Sequence, residues 1–154
     1  MDAIGPTADV LTTLLGYEFT TEEEGRHRFT AAGDRARTID LVTLQMAARL
    51  GAGTVHHIAF RAQDADEQAA WQTQLRERGF HVTDVKDRQY FQSIYFREPG
   101  GVLFEIATDA PGFLHDEAED SLGTDLKLPP WMEDQRAAIE NNLPPIQRRS
   151  AGSA

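Results

Sequence analysis

The feature that most constrains this chain is an order of elements that its hydrophobic patterning writes out twice. After the break at Gly51-Ala52-Gly53, the sequence reads as a strand over Val55–Arg61, then a helix over Asp64–Arg78. Ala65, Gln68, Ala69, Gln72 and Leu75 are spaced along one face of that helix, and Gly79 ends it. Strands over Phe80–Val85, Gln92–Arg97 and Val102–Ala107 follow, with the turn Glu98-Pro99-Gly100-Gly101 between the last two. The first part shows a helix over residues 6–16, with Val10, Leu11, Leu14 and Leu15 as its apolar stripe. Strands over Tyr17–Thr20, Arg26–Thr30 and Thr38–Leu44 come next. The order strand, helix, strand, strand, strand is therefore complete once and present once without its opening strand. This predicts an α+β fold of two βαβββ modules, the first lacking its opening strand, that form curved mixed sheets.

The expected boundaries are an incomplete module over residues 1–50, a complete one over 51–110, and a C-terminal arm over 111–146. A small, polar tail over 147–154 is expected to be disordered. In the arm, Leu128, Trp131, Ile139 and Leu143 are read as packing either on the domain's own core or on a partner. There is no cysteine, which excludes disulfides and thiolate metal sites. A formal net charge of −10 repels phosphate backbones and argues against nucleic acid. No apolar run approaches the length of a membrane span, and the N-terminal residues lack the pattern of a secretory signal. The expectation is a cytoplasmic chain with no membrane partner.

Three features of the second unit carry chemistry. His56 and His57 lie on its opening strand, where alternation turns one imidazole to the concave face and the other away. Glu105 lies on the closing strand between Phe104 and Ile106, and a carboxylate so placed is costly unless paired or bound to a metal. Arg88, Tyr90 and Tyr95 lie between them. Two histidines and one carboxylate on one face would suit Fe(II) and leave three positions open. On periodicity alone, a histidine on an apolar strand is more often a satisfied core residue.

The stretches GAGTVHHIAFRAQD, DRQYFQSIYFREPGGVLFEIATD, PGF and LPPW resemble the C-terminal half of ring-cleaving dioxygenases of the vicinal oxygen chelate superfamily, related to the hydroquinone and chlorohydroquinone dioxygenases. That superfamily also includes glyoxalase I and bleomycin resistance proteins. By its H-x-x-x-[RV] strand pattern, the resemblance implies that His57 is a metal ligand, with Ala59 and Arg61 on the same face, and that Glu105 is the carboxylate ligand. It implies for His56 a role either behind the metal ligand or on the substrate side, substrate-side roles for Arg88 and Tyr95, Fe(II) as the cofactor with Mn(II) as the alternative, and a hydroquinone- or catechol-like ring and O2 as substrates.

The resemblance also implies what this chain lacks. Family members of full length carry four modules and take their other metal histidine from the first, and His27, His81 and His115 match no ligand position. The expectation is an incomplete site on a C-terminal half or truncated form. Such a chain would form a homo-oligomer or associate with a missing N-terminal half, and alone would have little or no ring-cleaving activity. The rival reading is a non-catalytic small-molecule or metal-binding module of the same superfamily. Glyoxalase-type isomerisation needs four ligands from paired modules, and the first unit shows no histidine or glutamate in an equivalent place.

Overall fold

The computed structural model describes residues 4–33, 37–43 and 51–144. The chain divides into two compact units at the Gly112–Phe113 junction. In the first unit, α1 (Ile4–Thr13) is followed by β1 (Glu18–Glu23), β2 (Arg26–Thr30) and β3 (Thr38–Val42). Val10, Leu11, Leu14 and Tyr17 are buried, as the apolar stripe requires. Gly16 takes a positive φ of 70° beyond the helix end, a conformation that costs glycine no Cβ clash. The three strands form an antiparallel sheet in the order β1-β2-β3, with Phe29 opposite Ile39 and Arg28 opposite Asp40. The first strand runs three residues past its expected end at Thr20, because the reversal falls at Glu24 and Gly25, both at positive φ. Leu44, the expected end of the third strand, lies outside the described residues.

The second module contains β4 (Ile58–Ala62), α2 (Ala65–Glu77), β5 (Lys86–Asp87), β6 (Gln92–Arg97) and β7 (Leu103–Thr108). They form a mixed sheet in the order β4-β7-β6-β5, with β4 parallel to β7. Asp64 caps α2 by accepting from the Glu67 N–H (2.9 Å), and the Glu67 carboxylate accepts from the Gln63 N–H (2.6 Å). On the buried face of α2, the Gln68 amide donates to the carbonyls of Gln92 (2.9 Å) and Ile106 (2.8 Å), pinning the helix to β6 and β7.

Two expectations are corrected. The opening strand begins at Ile58, so both histidines precede the ladder rather than lie within it. Residues 80–85 form no strand, because Thr83 pairs with Tyr95 through its backbone N–H in one direction (3.0 Å) and its side-chain hydroxyl in the other (3.1 Å). The hydroxyl takes the place of a ladder carbonyl, and regular pairing starts only at Lys86.

The core is shared between the two modules and joins Leu11 and Phe29 to Leu75, Ile94, Phe96, Phe104 and Ile106. Phe60, Phe104, Phe96 and Phe80 follow one another edge to face at 5.0, 5.7 and 5.4 Å between ring centroids. Buried Glu98 joins the β6–β7 turn to α1 by accepting from the N–H groups of Gly100 and Val102 (2.7 Å each) and the Thr7 hydroxyl (2.5 Å). A Cβ at Gly100 would meet a Glu98 oxygen at 2.8 Å, so a side chain there would displace that carboxylate.

Among its described residues, the second unit contains three 3-10 turns and α3 (Arg136–Asn142). The 3-10 turn Pro130–Gln135 runs directly into α3. Leu128 and Ile139 are half-buried, while Trp131 is 71% exposed. The tail over 147–154 lies outside the described residues. Among the described residues, no helix is long and apolar enough to cross a membrane.

Candidate metal and substrate site

Phe104 and Ile106 point into the core, so alternation along β7 turns Glu105 to the opposite face. Glu105 stands opposite Ala59 on the parallel strand β4 and opposite Tyr95 on the antiparallel strand β6. Its side chain is 3% exposed, and each of its oxygens has a partner of its own. Oε2 lies 2.7 Å from His57 Nε2, and Oε1 accepts a hydrogen bond from the Ser93 hydroxyl. The carboxylate thus has the pairing that burial demands.

His57 immediately precedes β4 and is 37% exposed, so its ring faces both the carboxylate and the open side. Its Nδ1 is 2.9 Å from Nδ1 of His56, and the two rings meet edge to face at 5.2 Å. One of these nitrogens carries the proton and the other accepts it. A proton on His57 Nε2, donated to Glu105, leaves His57 Nδ1 to accept from His56.

Tyr95 presents its ring to His57 edge to face at 6.2 Å. Arg88 Nε donates to the Tyr95 hydroxyl (3.2 Å), and the guanidinium carbon lies 5.2 Å from the Tyr95 ring centroid. Because the phenol oxygen accepts from Arg88, its own proton remains available to a ligand. A tight turn sets the position of Arg88, whose carbonyl accepts from Tyr90 N–H (2.8 Å) and whose N–H donates to Phe91 (2.9 Å). The nearby acids have other partners: Asp84 lies 3.3 Å from Arg76, and Asp87 accepts from the Gln89 N–H.

An open cleft of about 310 Å³ runs from His57 and Glu105 along β4 and β7. Ala59 and Ala107 line it, Phe91 adds a ring, and Arg61 and Asp109 lie at its rim. Arg61 donates to Asp109 (2.6 Å), which holds the Asp109 carboxyl below the usual carboxylate range and raises the guanidinium. The five residues singled out in the sequence, His56, His57, Arg88, Tyr95 and Glu105, therefore come together through direct contacts. His27 does not join them and lies 3.6 Å from Glu22. Ala59 and Arg61 line the cleft with His57, as the strand pattern implied, whereas sequence reasoning missed Ser93 and Asp109. Ser93 lies two residues before Tyr95, and strand alternation was the signal that could have found it.

Residues 6–106 match the model of the Glyoxalase/Bleomycin resistance protein/Dioxygenase superfamily. The chain belongs to this superfamily. Among curated relatives it is 46% identical over 144 residues to the "Putative ring-cleaving dioxygenase MhqO" of Bacillus subtilis (strain 168), covering 93% of this chain and 46% of that protein. It is 48% identical over 85 residues to the "Chlorohydroquinone/hydroquinone 1,2-dioxygenase" of Sphingobium indicum, covering 54% of this chain and 26% of that protein. A crystal structure of a "putative dioxygenase" from Bacillus subtilis superposes with a TM-score of 0.88 at 46% identity, covering 94% of this chain and 47% of that chain. The chain thus spans about half the length of the Bacillus relatives it matches.

The superfamily's dioxygenases imply a metal, and the donor atoms can be tested for one. Two ligand atoms about 2.1 Å from a first-row ion, at a right angle, lie about 3 Å apart. The 2.7 Å between His57 Nε2 and Glu105 Oε2 fits two adjacent positions of such an ion. Imidazole and carboxylate are donors that non-haem iron accepts. Among the described residues, no group of three His, Cys, Asp or Glu gathers to hold a metal, so the fit extends to two protein ligands.

Proposed function

We propose that this chain contributes one face of a non-haem ring-cleaving dioxygenase site, with His57 and Glu105 as two of its metal ligands. The observation that carries the reading is a nearly fully buried carboxylate whose free edge meets one half-open imidazole at 2.7 Å, at the end of a cleft. The proposed substrate is a hydroquinone- or catechol-like ring together with O2, in line with the names of the relatives. Fe(II), with Mn(II) as the alternative, would be held by His57 and Glu105 and would supply a one-electron path between ring and O2.

The chain's own residues do the rest. With Nε2 given to an ion, His57 carries its proton on Nδ1 and donates it to His56 Nδ1, so His56 fixes the ligand's tautomer and orientation. Tyr95 donates its free proton to a ring oxygen, and Arg88 behind it favours a ring oxygen that carries negative charge. Ala59 and Ala107 leave room for a flat ring beside the strands, and Phe91 offers it an apolar contact. Arg61 and Asp109 offer a donor and an acceptor to a substituent at the far end.

The third protein ligand, on this reading, comes from outside these residues, from a second copy or from a counterpart of the half of the relatives that this chain does not span. β3 carries no parallel strand of the kind β4 gives to β7 among the described residues, so its outer edge can accept a strand from a partner. The second reading, a binding module without catalysis, is favoured by the absence of a third gathered ligand among the described residues.

Oxygen uptake with hydroquinone and its chlorinated and methylated forms, using anaerobically iron-loaded protein beside a sizing measurement, separates these readings. The proposal expects negligible turnover by a monomer, and hydroquinone binding that tightens under anaerobic conditions when Fe(II) is present. Robust turnover by a monomer would overturn the incomplete site, and iron-independent binding of hydroquinone would favour the binding module.

A further inference from the structure

We infer that Ser93 is a positioning residue that withdraws one oxygen of Glu105, so that the carboxylate presents Oε2 alone to an ion. This rests on the reading of His57 and Glu105 as ligands. Ser93 lies on β6 opposite Ala107 and is completely buried. Tyr95, two residues on, stands opposite Glu105, so alternation places Ser93 on the same face as the carboxylate. There its hydroxyl donates to Oε1, while Oε2 faces His57 at 2.7 Å.

The consequence follows from carboxylate chemistry. A free carboxylate binds a cation through one oxygen or both, and so takes one position or two. Substrate and dioxygen need open positions, and a second oxygen from Glu105 would remove one. A donor hydroxyl on Oε1, shielded from water, opposes the two-oxygen mode and holds the carboxylate plane in one orientation. Glutamate has several rotatable bonds, and a fixed partner spares the entropy that ordering them on binding would cost. A serine with only a packing role would lower stability when replaced, without changing how an ion is held.

The test uses Mn(II) as the probe on the full chain. Its affinity is read by electron paramagnetic resonance, and its retained waters by proton relaxation. Ser93→Ala is expected to weaken Mn(II) binding by about tenfold and to leave one fewer water on the bound ion. Ser93→Cys keeps the shape with a weaker donor and should fall between, which preserves the test if the alanine variant does not fold. Glu105→Gln is the reference for the underlying reading and should lose binding. Parental affinity and water number in both Ser93 variants, with binding lost in Glu105→Gln, would overturn the role of Ser93 and leave the metal pair standing. Parental binding in Glu105→Gln would overturn the metal pair, and the inference with it.

Discussion

In β3, Asp40 lies between Ile39 and Leu41 and stands opposite Arg28. In β7, Glu105 lies between Phe104 and Ile106 and stands opposite Tyr95. The two modules thus place an acid at the same point of the closing strand, facing the same neighbour position on the strand before it. What differs is the partner. Arg28 grips both oxygens of Asp40, at 2.8 and 2.9 Å, and Arg26 adds a second cation at 3.7 Å. Glu105 receives a serine hydroxyl and an imidazole, and its side chain is 3% exposed against 18% for Asp40. A fixed guanidinium supplies permanent charge and leaves the first acid nothing to bind. A hydroxyl and a half-exposed imidazole leave the second open to exchange its proton partner for an ion. The module supplies the position, and on the proposed reading the groups that reach the carboxylate decide whether it can hold an ion.

The largest effect should come from removing the second acid. Glu105→Ala is expected to reduce bound iron, measured by elemental analysis after anaerobic loading, to background while circular dichroism stays close to the parent. The single imidazole of His57 that remains holds a cation of this kind poorly. Asp40→Ala, its counterpart, should leave iron content unchanged. Equal iron in parent and Glu105→Ala would erase the difference drawn between the sheets.

Tyr95→Phe probes the ladder partner of Glu105. The ring contact with His57 is kept and the hydroxyl that accepts from Arg88 is lost. Hydroquinone affinity of the metal-loaded chain, read by calorimetry, should fall by roughly tenfold, the value of about one hydrogen bond. Unchanged affinity would mean that the hydroxyl does not face the ligand.

How much of this was legible in the sequence follows from what each signal reports. Alternation and turn chemistry place β2 and β6 at Arg26–Thr30 and Gln92–Arg97, in agreement with the structure. Residues 80–85 read as a strand because alternation cannot register that the Thr83 hydroxyl replaces a ladder carbonyl. Glu105 was legible because an acid between Phe104 and Ile106 is conspicuous. Asp40 in Thr38-Ile39-Asp40-Leu41 carries the same signature, yet its meaning depends on register with Arg28, which only the paired strands reveal. For Ser93, alternation from Tyr95 gives the face, but its pairing with Glu105, 12 positions away on another strand, depends on register.

The smallest effect concerns acid. Asp40's carboxyl is held below the usual range by its hydrogen bond to Arg28. A folded-state value below the unfolded one contributes stability above the unfolded pKa, about 3.9, that is lost as pH falls through the folded value. Arg28→Gln should therefore be slightly less stable than the parent in urea at pH 7, and the gap should close as pH falls below 4. A gap of the same size at pH 3 would contradict the ion pair as its source.

The central claim, that His57 and Glu105 form a metal pair where Arg28 and Asp40 do not, is tested most directly by nuclear magnetic resonance with substoichiometric Mn(II). The account predicts that the ring signals of His57 and His56 broaden first, while those of His27, beside Arg28 on β2, stay sharp. Broadening that spares His57 and His56, or spreads equally over every histidine, would contradict it.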